Sequence, residues 1–216
     1  EDTSWYYREH DVVVSENGER IAIFNIRTAE ELAGLAKLVR NGNSMKNTMI
    51  NLVSDVTLND TTNFDNWDEQ PPANNWTAIG AVPIEAPNVN VVMTIQPECR
   101  NTVFAGMFNG NGHTISGMYS LHHNYAGLFA RTSGIITNVI VKDSYIQCIN
   151  TQKVESGDTA LWEACAGGIT AICDRGVISH CEFDGKIFAS GLNQVGYGTH
   201  GSFAGGIVGK FSDDES

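Results

Sequence analysis

The stretch Phe104-Ala105-Gly106-Met107-Phe108-Asn109-Gly110-Asn111-Gly112-His113-Thr114-Ile115-Ser116-Gly117 decides the reading of the fold. It is followed by Ala126-Gly127-Leu128-Phe129 and by Gly134-Ile135-Ile136-Thr137-Asn138-Val139-Ile140-Val141. This second part returns as Ala166-Gly167-Gly168-Ile169 with Gly176-Val177-Ile178-Ser179-His180-Cys181-Glu182-Phe183, and begins again at Ala204-Gly205-Gly206-Ile207. The starts at Ala126, Ala166 and Ala204 lie 40 and 38 residues apart (166 − 126 and 204 − 166). Self-similarity at a period of about 20–50 residues marks a repeat architecture, in which each unit buries its apolar face only against its neighbours. Short apolar runs between small turn residues, with Val, Ile or Phe on both faces, favour a solenoid with a packed interior over a sandwich.

Glycine follows the same division. Only Gly18, Gly34, Gly42 and Gly80 fall in the first hundred residues, so 18 of the 22 glycines serve the repeat region. Glycines at repeat corners supply the positive-φ turns that a coiling sheet needs.

Upstream, Val12-Val13-Val14 and Arg20 to Ile26 flank Glu16-Asn17-Gly18-Glu19. Asn-Gly between two β-rich runs predicts a hairpin, because both turn positions tolerate positive φ. Trp5, Tyr6 and Tyr7 are expected to pack beside it. A helix follows, with Thr28 as N-cap, Glu31 completing a capping box, Leu32, Leu35, Ala36 and Val39 as one apolar stripe, and Gly42 as its end. Residues 1–45 read as an N-terminal cap of hairpin and helix, covering the first open rung of a repeat region over 46–216. In that region Ile50 to Leu58 is expected to form the first rung. Asn59 to Asn75 reads as a polar surface excursion, with a calcium loop as the alternative, although its Asp60, Asp65, Asp68 and Glu69 do not fit the EF-hand spacing. Trp76 to Gly80 returns to the core, and Val89 to Ile95 is a further strand.

The formal net charge of −12 repels phosphate backbones and anionic membranes, which removes nucleic acid as a partner. No apolar run approaches the ~18–20 residues of a membrane-spanning helix. The chain starts at Glu1 without a methionine, so a mature or trimmed product is expected. The five cysteines (Cys99, Cys148, Cys165, Cys173, Cys181) form no C-x-x-C pair and read as small buried thiols, with one disulfide as the alternative. No motif calls for a cofactor or a metal.

These residues resemble bacterial cell-surface proteins carrying the GLUG motif. Ile26 to Ala36 with Gly42, then Leu52-x-x-Asp55-Val56-x-Leu58, is similar to that family's leading segment. Phe104-x-Gly106-x-Phe108-x-Gly110-Asn111-Gly112-His113-Thr114-Ile115 matches its core signature, and Ala126-Gly127-Leu128-Phe129 with its two echoes resembles the repeat itself. The resemblance runs from about residue 20 to the end. It implies an all-β fold, a right-handed parallel β-helix, exported and displayed on bacteria as an adhesin-like module. It carries over no catalytic residues. The second and third repeats depart from it, with Gly-Ile in place of Leu-Phe. The third stops mid-unit, so the native chain is expected to continue past Ser216.

Gly110-Asn111-Gly112-His113 reads as a corner whose side chains bond backbone groups, since a phosphate loop requires a lysine and a following helix. Segments 119–125, 150–164 and 190–203 precede the three Ala-Gly starts and differ in length, so they are expected to be loops leaving equivalent corners as one ridge. Tyr119, His122, His123, Tyr125, Trp162, Tyr197 and His200 on that ridge are the candidate ligand-binding residues, suited to stacking on sugars or anchoring a protein. Their alternative role is to fold back as clusters over the rungs. His122-His123 is a poor metal pair, because neighbours in a strand point opposite ways. Asn59-Asp60-Thr61 and Asn75-Trp76-Thr77 match the glycosylation sequon. The expected function is adhesion to a host or matrix glycan or glycoprotein, without catalysis. A polysaccharide lyase or glycosidase using Asp143, Asp174, Glu182 or Asp184 with Lys142, Arg175 or Lys186, or a purely structural stalk, are the alternatives.

Overall fold

The computed structural model describes residues 1–81, 102–150, 163–191 and 201–212. The expected strand Val89–Ile95, Cys99, and the candidate residues Trp162, Tyr197 and His200 lie outside the described residues.

The N-terminal hairpin pairs β1 (Asp11–Val14) with β2 (Arg20–Ile26) antiparallel, Val13 opposite Ile21. Its turn uses positive φ at Gly18 alone, not at both central residues. Gly18 N–H donates to Ser15 O (2.9 Å) and Ser15 N–H to Glu19 O (2.8 Å), a tight turn closed by one left-handed residue. Trp5 packs edge-on to Phe24 and Tyr6 stacks on it, while Tyr7 stays exposed.

Helix α1 (Ala29–Arg40) begins at Thr28, whose Oγ1 accepts from Glu31 N–H (3.2 Å). Glu31 departs from the simple capping box. Its carboxylate, buried, accepts from Arg27 N–H (2.7 Å) and meets Arg8 Nη1 (3.3 Å). Leu32, Leu35, Ala36 and Val39 are all buried in the same core as Phe24, Ile50, Ile79, Phe108 and Ile136.

Beyond the helix come β3 (Thr48–Leu52), β4 (Val56–Thr57), β5 (Met107–Asn109), β6 (Thr114–Ser116), β7 (Tyr119–His122), β8 (Tyr125–Ala126), β9 (Phe129–Thr132), β10 (Ile135–Thr137) and β11 (Ile140–Asn150). The remainder are β12 (Ala164–Gly167), β13 (Thr170–Asp174), β14 (Val177–Ser179), β15 (Glu182–Gly191), β16 (Ser202–Gly205) and β17 (Val208–Ser212). Ile50 to Leu58 thus spans the end of β3 and all of β4, two short strands in different sheets.

The right-handed parallel β-helix expected for this chain is not the architecture. Among the described residues the strands fall into four sheets, ordered β1-β2-β3-β5-β10-β14, β15-β11-β6-β4 with β7 beside β11, β16-β12-β8, and β17-β13-β9. The first is mixed, because its hairpin is antiparallel, and the sheets curl as a half-barrel without closing into a solenoid. What the period does encode is pairing. Ala126 aligns with Ala166 and Ala166 with Ala204, in parallel strands, and Phe108, Ile136 and Ile178 align across β5, β10 and β14. A repeat fixes which strand lies beside which. Closure depends on the corners between sheets, which the period does not specify.

Corners are held by residues in the left-handed region, among them Asn111, Asn138 and His180. Gly110 is required by close approach, since a Cβ there would lie 2.3 Å from Asn138 O. As the sequence indicates, Asn111 donates its side-chain amide to the backbone at Leu52 O (2.8 Å); His113 instead meets a side chain, its Nδ1 3.2 Å from Asp55 Oδ1. Asp55 also accepts from Thr114 N–H (2.9 Å), and this bond, with His113, holds its pKa below the usual carboxylate value.

Candidate binding face on the outer side of β7, β11 and β15

Strand alternation divides β7, β11 and β15 cleanly. Ile146, Cys148, Ile187 and Ala189 turn toward the core. Tyr119, Tyr145 and Lys186 form one outward row in register, and Leu121, Gln147 and Phe188 form the next.

These outward residues are joined by rings. Tyr119 stacks on Tyr145 with centroids 5.6 Å apart, and Tyr145 meets Phe188 at 5.3 Å. At the other end Trp67 stands edge-on to Tyr119 at 6.1 Å and Phe64 edge-on to Trp67 at 5.4 Å. Such offset and T-shaped pairs add about 0.5–1.5 kcal/mol each beyond their buried area. The column thus runs Phe64–Trp67–Tyr119–Tyr145–Phe188. Four of its rings are covered to different degrees, and Phe188 is 47% exposed.

The column explains the polar 59–75 stretch. Phe64 and Trp67, in and after a short 3-10 turn (Phe64–Asn66), fasten it to the outer sheet face. Lys186 secures the same turn, donating Nζ to Asp65 O (2.7 Å) and lying 5.3 Å over the Phe64 ring. The acidic residues do not converge. Asp60 accepts from Thr62 N–H and Oγ1, and among the described residues no three His, Cys, Asp or Glu side chains gather to hold a metal ion. Both sequon asparagines are engaged as well. Asn59 Nδ2 donates to Asn74 O and Gly117 O, and Asn75 Nδ2 donates to Leu121 O.

Burial raises the pKa of the Tyr119 phenol. It does the same for Tyr145, with smaller contributions from the Tyr119 and Asp68 charges. Both phenols remain protonated donors through neutral pH.

The candidate residues named from sequence are placed as follows. Tyr119 lies in β7 as the buried centre of the aromatic column. His122, also in β7, turns inward, its Nδ1 accepting from Asn124 and Tyr125 N–H (3.2 Å each). His123 Nδ1 donates to Ile149 O (3.0 Å). Tyr125 lies in β8, in register with Cys165, half-buried against the cluster of Ala78, Ala81 and Ala130 on one side and that of Cys165, Ala171 and Ile172 on another. Segment 119–125 is thus two strands, not a loop leaving a corner. Tyr119 and Tyr125 sit on different sheets.

Sequence reasoning passed over Phe64, Trp67, Tyr145 and Phe188. Alternation along Tyr145-Ile-Gln147-Cys148 and Lys186-Ile-Phe188-Ala189 was the signal that Tyr145 and Phe188 share an outward face. The charged residues weighed for catalysis are mostly paired. Asp174 bonds Arg131, Glu182 lies 3.5 Å from Lys142, and Lys186 holds Asp65. Asp143 sits with positive φ at a bulge in β11.

No family model, no curated protein and no solved structure matches this chain.

Proposed function

We propose that this chain is a non-catalytic binding module, exported to the cell surface, that attaches to a glycan or glycoprotein through the outer face of β7, β11 and β15. One observation carries the reading: the aromatic column ends in the exposed ring of Phe188. A large apolar ring left in the open, on a face where every other aromatic is covered, is the usual form of an anchor for a partner. Its surroundings fit a sugar. Gln147 and Leu121 share its row, Ser190 lies along its own strand, and amide and hydroxyl groups beside a ring complement the CH face and hydroxyl rim of a pyranose. The rings behind Phe188 fix its orientation, which lowers the entropic cost of binding.

The non-catalytic part rests on the resemblance, which carries over no catalytic residues; of the candidate carboxylates, Asp174 is held by Arg131 and Glu182 lies 3.5 Å from Lys142. The surface location rests on the resemblance to GLUG-motif proteins. Among the described residues no helix is long and apolar enough to cross a membrane. Titrating soluble mucin-type oligosaccharides into isotopically labelled chain tests the site. Shifts confined to Gln147, Phe188 and Ser190 are expected, and shifts centred on another face would overturn the assignment.

A further inference from the structure

The free edge of the N-terminal hairpin is built for a partner strand. β1 ends its six-stranded sheet, pairing with β2 alone among the described residues. Edges of this kind are normally blunted by lysine, proline, a bulge or a covering segment. Here the edge is Asp11-Val12-Val13-Val14, and its valines are 41%, 44% and 66% exposed. A run of three exposed valines on an unpaired, regular edge is a β-augmentation surface.

The phase of the ladder says which groups are offered. Ser15 N–H donates to Glu19 O, so Ser15 and Glu19 form a hydrogen-bonded pair. Pairs alternate along an antiparallel ladder, so Val13 and Ile21 form the next such pair and Val13 directs its backbone groups toward β2. Val12 and Val14 therefore turn both N–H and C=O outward.

We infer that this edge pairs antiparallel with β1 of a second copy of the chain, about a two-fold axis through Val13. In that register Val12 lies opposite Val14 of the other copy, and each such pair exchanges two backbone bonds, giving four in all. Val13 meets its own counterpart as a close non-hydrogen-bonded pair. Asp11 falls opposite Ser15, and His10 opposite Glu16, so no like charges face each other. A two-fold axis requires a self-complementary patch, and this strand is one. The two six-stranded sheets would become one, and the outward apolar row Ile23, Met49, Met107, Ile135 and Val177, in register within each copy, would lie on one face of it. The contact is short, at the small end of interface size, so the dimer is weak.

Sedimentation from about ten micromolar to about a millimolar tests this, with two variants chosen to spare the hairpin. Val12→Pro deletes an outward N–H and leaves the bonds to β2 in place. Val13→Lys puts two like charges together on the axis. Wild-type chain is expected to dimerise across that range, and each variant to raise the Kd at least ~10-fold with its thermal midpoint unchanged. A dimer that survives both variants overturns the inference. So does a chain monomeric throughout, which would leave the edge to an extended segment of a different protein.

Discussion

Tyr145 stacks on Tyr119 with ring centroids 5.6 Å apart and planes 21° from parallel, both rings on the outer side of the sheet. The two residues are directly opposed in the parallel pairing of β7 with β11, so strand register itself brings the rings together. The pair is the base on which Trp67 and Phe188 rest.

That dependence makes Trp67 the anchor of the 59–75 stretch. Trp67→Ala should destabilise the chain by about 3 kcal/mol, the range for removing a buried aromatic. It should also speed proteolysis between Asn59 and Asn75. Lys186→Ala should cost well under ~1 kcal/mol, because the exposed pair with Asp65 is screened by solvent. Urea melts of the two variants check the ordering.

Gly110 and Gly112 separate two reasons for glycine in one corner. A Cβ at Gly110 would lie 2.3 Å from Asn138 O and 2.8 Å from Val139 Cα, whereas nothing lies within 4 Å of one at Gly112, whose φ is +75°. Gly112→Ala should cost about 1 kcal/mol from backbone strain alone. Gly110→Ala should cost about 3 kcal/mol, because backbone must move. Equal losses in thermal or chemical unfolding would contradict this account of the corner.

The thiols supply a pH dependence. Burial pushes Cys165 up to about 12, with a further rise from the Glu163 charge, and burial raises Cys148 as well. An acid whose pKa is raised on folding stabilises the fold fully below its unfolded pKa, near 9, and that stability is lost as pH rises toward the folded value. Stability should therefore decline from about pH 9 upward, by up to ~1.4 kcal/mol per pH unit for each such thiol. Replacing both Cys148 and Cys165 by alanine should flatten the decline between about pH 9 and pH 11. A thiol reagent should leave both unmodified in the folded chain at neutral pH.

Much of the local structure was legible in the chain. Thr28 and Glu31 announced the helix, Asn17-Gly18 the hairpin, and the Ala-Gly starts correctly identified strands that lie side by side. These features depend on neighbours in sequence or on a repeat spacing. Closure into a β-helix was not legible, because it depends on the angles at corners such as Asn138 and His180, and the structure shows separate curled sheets instead. The aromatic column behind the proposed binding face was obscured for a related reason. Phe64 and Trp67 sit in a polar stretch that reads as a solvated excursion, and only long-range contact with Tyr119 reveals them as a cover. Tyr119 to Tyr125 read as a loop because its length differs from its echoes, yet Tyr119 to His122 alternates well enough to pair with β11.

The central claim is tested most directly by incubating the chain with a panel of polysaccharides, mucins and host glycoproteins, measuring depletion and released products, beside Phe188→Ala and Phe188→Tyr. The account predicts depletion without cleavage, weakened at least ~10-fold by Phe188→Ala and kept by Phe188→Tyr, with the fold unchanged in both. Cleavage of any member, no depletion at all, or depletion indifferent to Phe188 would contradict it.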